Sequence, residues 1–198
     1  MSYMRTCFCI LLYSIAVCTF AEPSQTLLEE LSQRLVGASG LQGNFQQEKN
    51  LAFLQKPFTS SGQFSLDRSS GLWWKVVSPV ESVMLVRGQN VLLDGKPVQD
   101  HGIGSLMAMM MLDLMEGQLT SISKYFTVTG ELSERVWHLS LEPVSSRLKS
   151  IVDHIDLQGD NYLREIVIYE HGDNRTVILF TEVRSIGVGA TGPDSAAP

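Results

Sequence analysis

Between Thr26 and Leu35 the apolar positions Leu27, Leu28, Leu31 and Leu35 recur at helical spacing opposite Glu29, Glu30, Gln33 and Arg34. That stripe predicts an amphipathic helix of roughly three turns. Thr26 and Glu29 have the spacing of a capping box, and Gly37 and Gly40 punctuate its end. From Leu41 the period falls to two. Phe45, then Leu51 and Phe53, then Gly62, Phe64 and Leu66 read as strands separated by polar turns, with Pro57 a break. GLWWKVV stops before Pro79, ESVMLVR and NVLL follow, and Asp94-Gly95 supplies a hairpin turn. After residue 118 come KYFTVTG, RVWHLSLEP, IVDHIDLQ, and the pair YLREIVIYE and RTVILFTEV joined by HGDN.

One segment breaks the alternation. GSLMAMMMLDLM, Gly104 to Met115, holds five of the eight methionines and a single charge, Asp113. It predicts a second helix, with Ser105 at the N-cap and Gly117 at the stop, apolar nearly all round and so covered on more than one side. About nine short strands with two helices and no βαβ rhythm predict a mainly β fold. Its expected form is one curved antiparallel sheet, an incomplete barrel with helices on a single face.

The first 21 residues have Arg5, an apolar run from Cys7 to Phe20, and small residues at Thr19 and Ala21, the layout of a cleaved secretory signal. Cleavage leaves one domain over 22–186 and a loose small-residue tail over 187–198. All three cysteines, Cys7, Cys9 and Cys18, lie in the leader, so the exported chain carries no disulfide or thiol. Acylation at Cys18 is the alternative, although Val17 is larger than the residue a lipobox places there. Loss of Arg5 leaves 14 basic against 21 acidic residues, a balance unsuited to nucleic acid or to anionic membrane surfaces.

Catalytic and metal signals are weak. His101, His138, His154 and His171 are scattered with no metal-ligand spacing. Gly187 to Gly192 matches GxGxxG without the βαβ unit that a dinucleotide needs. Ser121-Ile-Ser-Lys124 and Ser146-Arg-Leu-Lys149 match SxxK without its partner motifs. Asp153 and Asp156 are an odd number apart and face opposite ways in a regular strand. No cofactor, metal or catalytic residue is therefore assigned. The remaining signal is excess apolar surface. Both faces of GLWWKVV are apolar, and the methionine segment either fills the concave sheet as ordinary core or lines a cavity for an apolar guest, a task that suits a flexible, polarizable side chain.

The order of a leader, a Leu-striped helix, GNFQQEK, SSGQFSLDRSSGLWWKVVSPVESVMLVRGQNVLLDGKPV and LEPVSSRLKSIVDHIDLQGDNYLREIVIYEHGDNRTVILFTEV resembles the periplasmic outer-membrane lipoprotein carriers, the LolA-like family. The resemblance implies a strongly bent half-barrel closed by a helical lid, in a Gram-negative periplasm. It implies an acylated lipoprotein or lipid cargo, an inner-membrane ABC exporter as donor, an outer-membrane acceptor, and a monomer. It places the family's lid-locking arginine on Arg68, and an acyl-chain lining on Phe45, Phe64, Trp74, Met84, Leu93, Met107, Met110 and Met111, with room for hydrocarbon tails. The chain ends soon after Ser185 without the further strand of the best-known carriers, which marks a divergent branch whose cargo extends to lipid-linked small molecules or glycolipids. A sensor or adaptor module, or a small enzyme using His138, Glu165 and Tyr169 in the same cavity, is the alternative.

Overall fold

A computed structural model describes residues 23–35, 40–67, 69–98 and 103–186, with side chains at 23, 24 and 103–107 left aside. The leader, Gly37, Arg68, His101, the side chains of Ser105 and Met107, and the tail lie outside that description.

Eleven strands form one antiparallel sheet: β1 Gly40–Asn50, β2 Phe58–Asp67, β3 Gly71–Ser78, β4 Ser82–Arg87, β5 Asn90–Leu93, β6 Lys96–Pro97, β7 Phe126–Leu132, β8 Trp137–Pro143, β9 Val152–Gly159, β10 Leu163–Glu170 and β11 Asn174–Ile186. Two meanders meet where the first strand pairs with the last, with Phe45 opposite Phe180. β6 and β7 remain as edges, so the sheet does not close into a barrel. The helices are α1 Pro23–Leu35, α2 Ile103–Glu116, a 3-10 helix Leu119–Lys124, and α3 Ser146–Lys149.

The hydrophobic periods place most elements, and the departures have local causes. Leu51 and Phe53 lie in the β1–β2 loop rather than in a strand, because β1 pairs continuously from Gly40 to Asn50. α1 starts at Pro23, which suits a first-turn proline, so Thr26 is inside the helix and not its cap. α2 likewise starts two residues before Ser105. Gly117 does end α2. Its φ of 72 lets Gln118 N–H reach the Asp113 carbonyl at 2.8 Å and Gly117 N–H the Leu114 carbonyl at 3.2 Å.

A bulge in β9 overturns one alternation argument. Tyr169 pairs with His154 but Glu170 pairs with Val152, so Asp153 is the extra residue. The phase shift lets both carboxylates approach one ring, with Asp153 at 2.8 Å and Asp156 at 3.9 Å from His154.

α1 buries Leu28 and Leu31 in the same core as the sheet's inner face. Ser32 Oγ donates to the Gly117 carbonyl at 2.7 Å, tying α1 to the end of α2. At the far end of β9, Asp160 accepts from Tyr162 N–H at 2.9 Å and from Arg164 Nε at 3.1 and 3.0 Å, while its carbonyl receives Trp137 Nε1 at 2.7 Å. Burial pushes the Asp160 carboxyl up, but the Tyr162 N–H and the Arg164 guanidinium outweigh it and hold the pKa below its ordinary value. A depressed folded-state pKa contributes stability above the unfolded value that is lost as pH falls through the folded one. Asp160→Asn should therefore cost up to about 1 kcal/mol at neutral pH, since the pair is partly solvent-screened. Urea midpoints of the two proteins should converge in strong acid, and a gap independent of pH would contradict the assignment.

Candidate functional site

The centre of the concave face is a cluster of four rings. Phe45 stacks on Trp74 with centroids 3.7 Å apart and planes 22° apart. Phe64 stacks on Trp74 at 6.3 Å, and Phe180 meets Phe64 and Trp74 edge-on at 5.5 and 6.0 Å. These side chains come from β1, β2, β3 and β11, four adjacent strands whose inward positions alternate in register. Met84 stands opposite Trp74 on the next strand and packs against this core.

α2 lies over this face. Ala108, Met110, Met111, Leu112, Leu114 and Met115 are all buried, and successive positions 110–112 cover the full circumference of the helix. The second cover is the 3-10 helix, which buries Leu119 and Ile122. Its Ser121 Oγ donates to the Asp113 carboxylate, so the single charge in the methionine segment is satisfied on the side facing that helix. Every buried side-chain polar atom among the described residues has a partner.

Among the described residues, the cleft under the C-terminal half of α2 is narrow. The cleft between α2 and the sheet, lined by Leu41, Phe64, Leu114, Met115, Leu163 and Val183 among others, has about 10 Å³ of free space, roughly one water. Phe45, Phe64, Trp74, Met110 and Met111 are packed as core, and methionine suits so narrow a cleft, because three rotatable bonds let it fill irregular gaps. Leu93 departs from the expected lining in another way. Register puts it on the same face as Met84 and Trp74, yet at the edge strand it is 47% exposed.

The alternative polar cluster does not assemble inside. His138 is exposed between buried Trp137 and Leu139, and Glu165 alternates with buried Ile166. Tyr169 stacks on His154 at 4.1 Å, and the Arg175 guanidinium lies 5.5 Å from the Tyr169 ring centroid. These three residues stand on the convex face. No group of three metal-capable side chains occurs among the described residues.

The family model for the outer membrane lipoprotein carrier protein LolA matches residues 37–191. The chain belongs to the LolA family. Outer-membrane lipoprotein carrier proteins from two strains of Pseudomonas fluorescens are 27% and 26% identical over 168 residues. Those alignments cover 83% of this chain and 73% and 74% of the relatives. A crystal structure of a LolA superfamily protein from Nitrosomonas europaea matches with a TM-score of 0.50 at 9% identity, over 85% of this chain and 96% of that one, a likeness of fold. LolA membership supports a lipoprotein-carrier or lipid-binding role and a binding rather than an enzymatic class. What sequence reasoning missed is the partnership of Phe180 with the central rings. Its only trace was the clean alternation of the last strand, which gives a face but not a neighbour.

Proposed function

We propose that residues 22–186 form one periplasmic carrier domain that takes up the acyl chains of lipoproteins or related lipids between α2 and the four-ring floor, and moves them from the inner to the outer membrane. The observation that carries this reading is the composition of the closed interface: methionine and leucine on one side and stacked aromatic rings on the other. Such a seam separates without leaving a polar group unpaired and re-forms around hydrocarbon.

Closure also tunes affinity. Each acyl methylene transferred from water contributes about 0.8 kcal/mol, so a long chain entering a ready-made cavity would be held too tightly for hand-over. Here the guest must first separate side chains whose own burial is worth about 1.5–3 kcal/mol each. The cost of opening offsets part of the gain, and the apparent affinity falls with the fraction of open protein. Arg68 is assigned the closing contact. It follows Asp67, whose carboxylate accepts from Ser69 N–H at 2.8 Å and Ser70 N–H at 3.1 Å. These bonds, led by the Ser69 hydroxyl, also hold the Asp67 carboxyl below its ordinary pKa.

The test is native purification from the periplasm followed by mass spectrometry, with uptake of a fluorescent fatty acid measured in parallel. Acyl-bearing cargo and saturable uptake are expected, and Arg68→Leu should raise the fraction isolated loaded. A protein that is always empty and takes up no probe would end the carrier reading. Unchanged loading in the variant would remove only Arg68.

A further inference from the structure

Eleven large hydrophobic side chains stand exposed among the described residues, and nine of them gather at one end of the sheet. The pairings place the loops 51–57, 79–81, 94–95, 144–151 and 171–173 together there, since Lys49 pairs with Phe58, Val76 with Ser82, Leu93 with Lys96 and Glu170 with Asn174. Phe53 in the first loop is 79% exposed, Phe58 at its base 63%, and Val80 in the second 73%. Val144 and Ile151 flank α3 at the same end. Scattered exposed apolar residues need no explanation, but concentration on one rim does.

The exposure is built in. Ala52 N–H donates to Asn174 Oδ1 at 3.0 Å, which pins the first loop to the β10–β11 turn beneath it. Asp94 holds the β5–β6 turn by accepting from Val83 N–H at 2.7 Å. His171 N–H donates to the Ile151 carbonyl at 3.0 Å. Phe53 thus stands on an anchored loop that does not fold back to bury it.

Charge and continuity together indicate the occupant. In a chain of net charge −6, these loops and the two residues on either side of each carry Lys49, Lys56, Lys96, Arg147, Lys149 and Arg175 against Glu81, Asp94, Glu142, Asp153, Glu170 and Asp173. Asp94 is engaged by Val83 N–H, Asp153 by His154 and Glu170 by Lys49, and Arg175 lies over the Tyr169 ring, which leaves Lys56, Lys96, Arg147 and Lys149 facing Glu81, Glu142 and Asp173. Separate tips bearing aromatic and aliphatic side chains among lysines suit the headgroup–acyl boundary of a bilayer, where rings embed and ammonium groups meet lipid phosphates. Continuity points the same way. Leu93, on the inner-face row of Trp74 and Met84, emerges at this rim.

We infer that this rim docks reversibly on an anionic phospholipid bilayer by inserting Phe53, Phe58 and Val80. The overall acidity noted in the sequence does not oppose this, because the acidic residues lie mostly elsewhere and screening within about 10 Å limits their reach. Docking is independent of what the interior carries.

Flotation of the full protein with vesicles of phosphatidylethanolamine and a minority of phosphatidylglycerol tests the inference. Wild type should co-float, and a Phe53→Ser, Phe58→Ser, Val80→Ser triple variant should partition roughly tenfold more weakly or worse. The triple variant should keep the wild-type circular dichroism, melting temperature and fatty-acid uptake. Phe53→Trp keeps the apolar bulk. It should float normally, with emission quenched by brominated acyl chains beyond the wild-type level. Wild type that stays in the aqueous phase, or a triple variant that floats as well, overturns the inference. So does loss of a protein partner by the triple variant when wild type ignores vesicles, which would assign the rim to a protein socket. Wild type that floats yet takes up no fatty acid supports the docking rim while ending the carrier reading.

Discussion

Trp74→Ala is expected to lower folding stability by about 3–5 kcal/mol and at the same time to strengthen fatty-acid binding. The indole stacks 3.7 Å from Phe45, meets Phe64 and Phe180, and stands opposite Met84. Its removal leaves a void in an interior whose cleft under α2 has only about 10 Å³ free. The transfer and cavity penalties both fall on the closed, empty form. A guest that fills the void recovers part of each, so ligand and mutation are coupled. Urea unfolding with and without a saturating fatty acid reads both effects: the ligand should stabilise the variant by a larger increment than wild type. Equal increments would mean that the guest does not occupy the space beside Trp74.

The second large effect is expected at Gly62. A Cβ there would lie 1.9 Å from the Lys75 carbonyl oxygen and 2.9 Å from the Phe45 ring. The oxygen belongs to the neighbouring strand and cannot swing aside as a side-chain tip could. Gly62 also follows a register irregularity at Ser61, so this close approach is part of how β2 and β3 curve past each other. Gly62→Ala should therefore cost about 3 kcal/mol or more and disturb the near-ultraviolet signal of the adjacent rings. Gly88→Ala is the control. Its φ is +56 but nothing lies within 4 Å of the added methyl, so only the left-handed backbone penalises it, by about 1 kcal/mol. If the two substitutions cost the same, the tight approach at Gly62 is not what shapes the sheet.

Much of the candidate site is legible in the sequence because alternation fixes faces. Phe45 and Phe64 each fall on the more apolar side of an alternating strand, and the methionine helix announces by its uniform apolarity that it is covered all round. GLWWKVV and SVMLVR, by contrast, are apolar on both faces, and only the pairing turns Trp74 and Met84 toward the core. The Asp94-Gly95 and His171–Asn174 turns were equally readable, since Asp94, Gly95, Gly172 and Asp173 adopt the positive φ that such residues tolerate. Parity fails where pairing does. The extra residue at Asp153 rotates the following side chains by half a period and brings two aspartates to His154, an event that no local signal in IVDHIDLQ marks.

The sequence by itself determined the two helices, most of the strand faces, the antiparallel character and the family, because these depend on periods and motifs within one segment. Only the tertiary structure decided that β1 pairs with β11 and so sets Phe180 beside Phe64 and Trp74. It also decided that Leu93 emerges at an uncovered edge, that the exposed apolar tips share one rim, and that Leu114 and Met115 leave only a narrow cleft above Leu41 and Phe64. Each depends on contacts between residues tens of positions apart, where loop closure and the competition among neighbouring side chains for one volume choose the outcome.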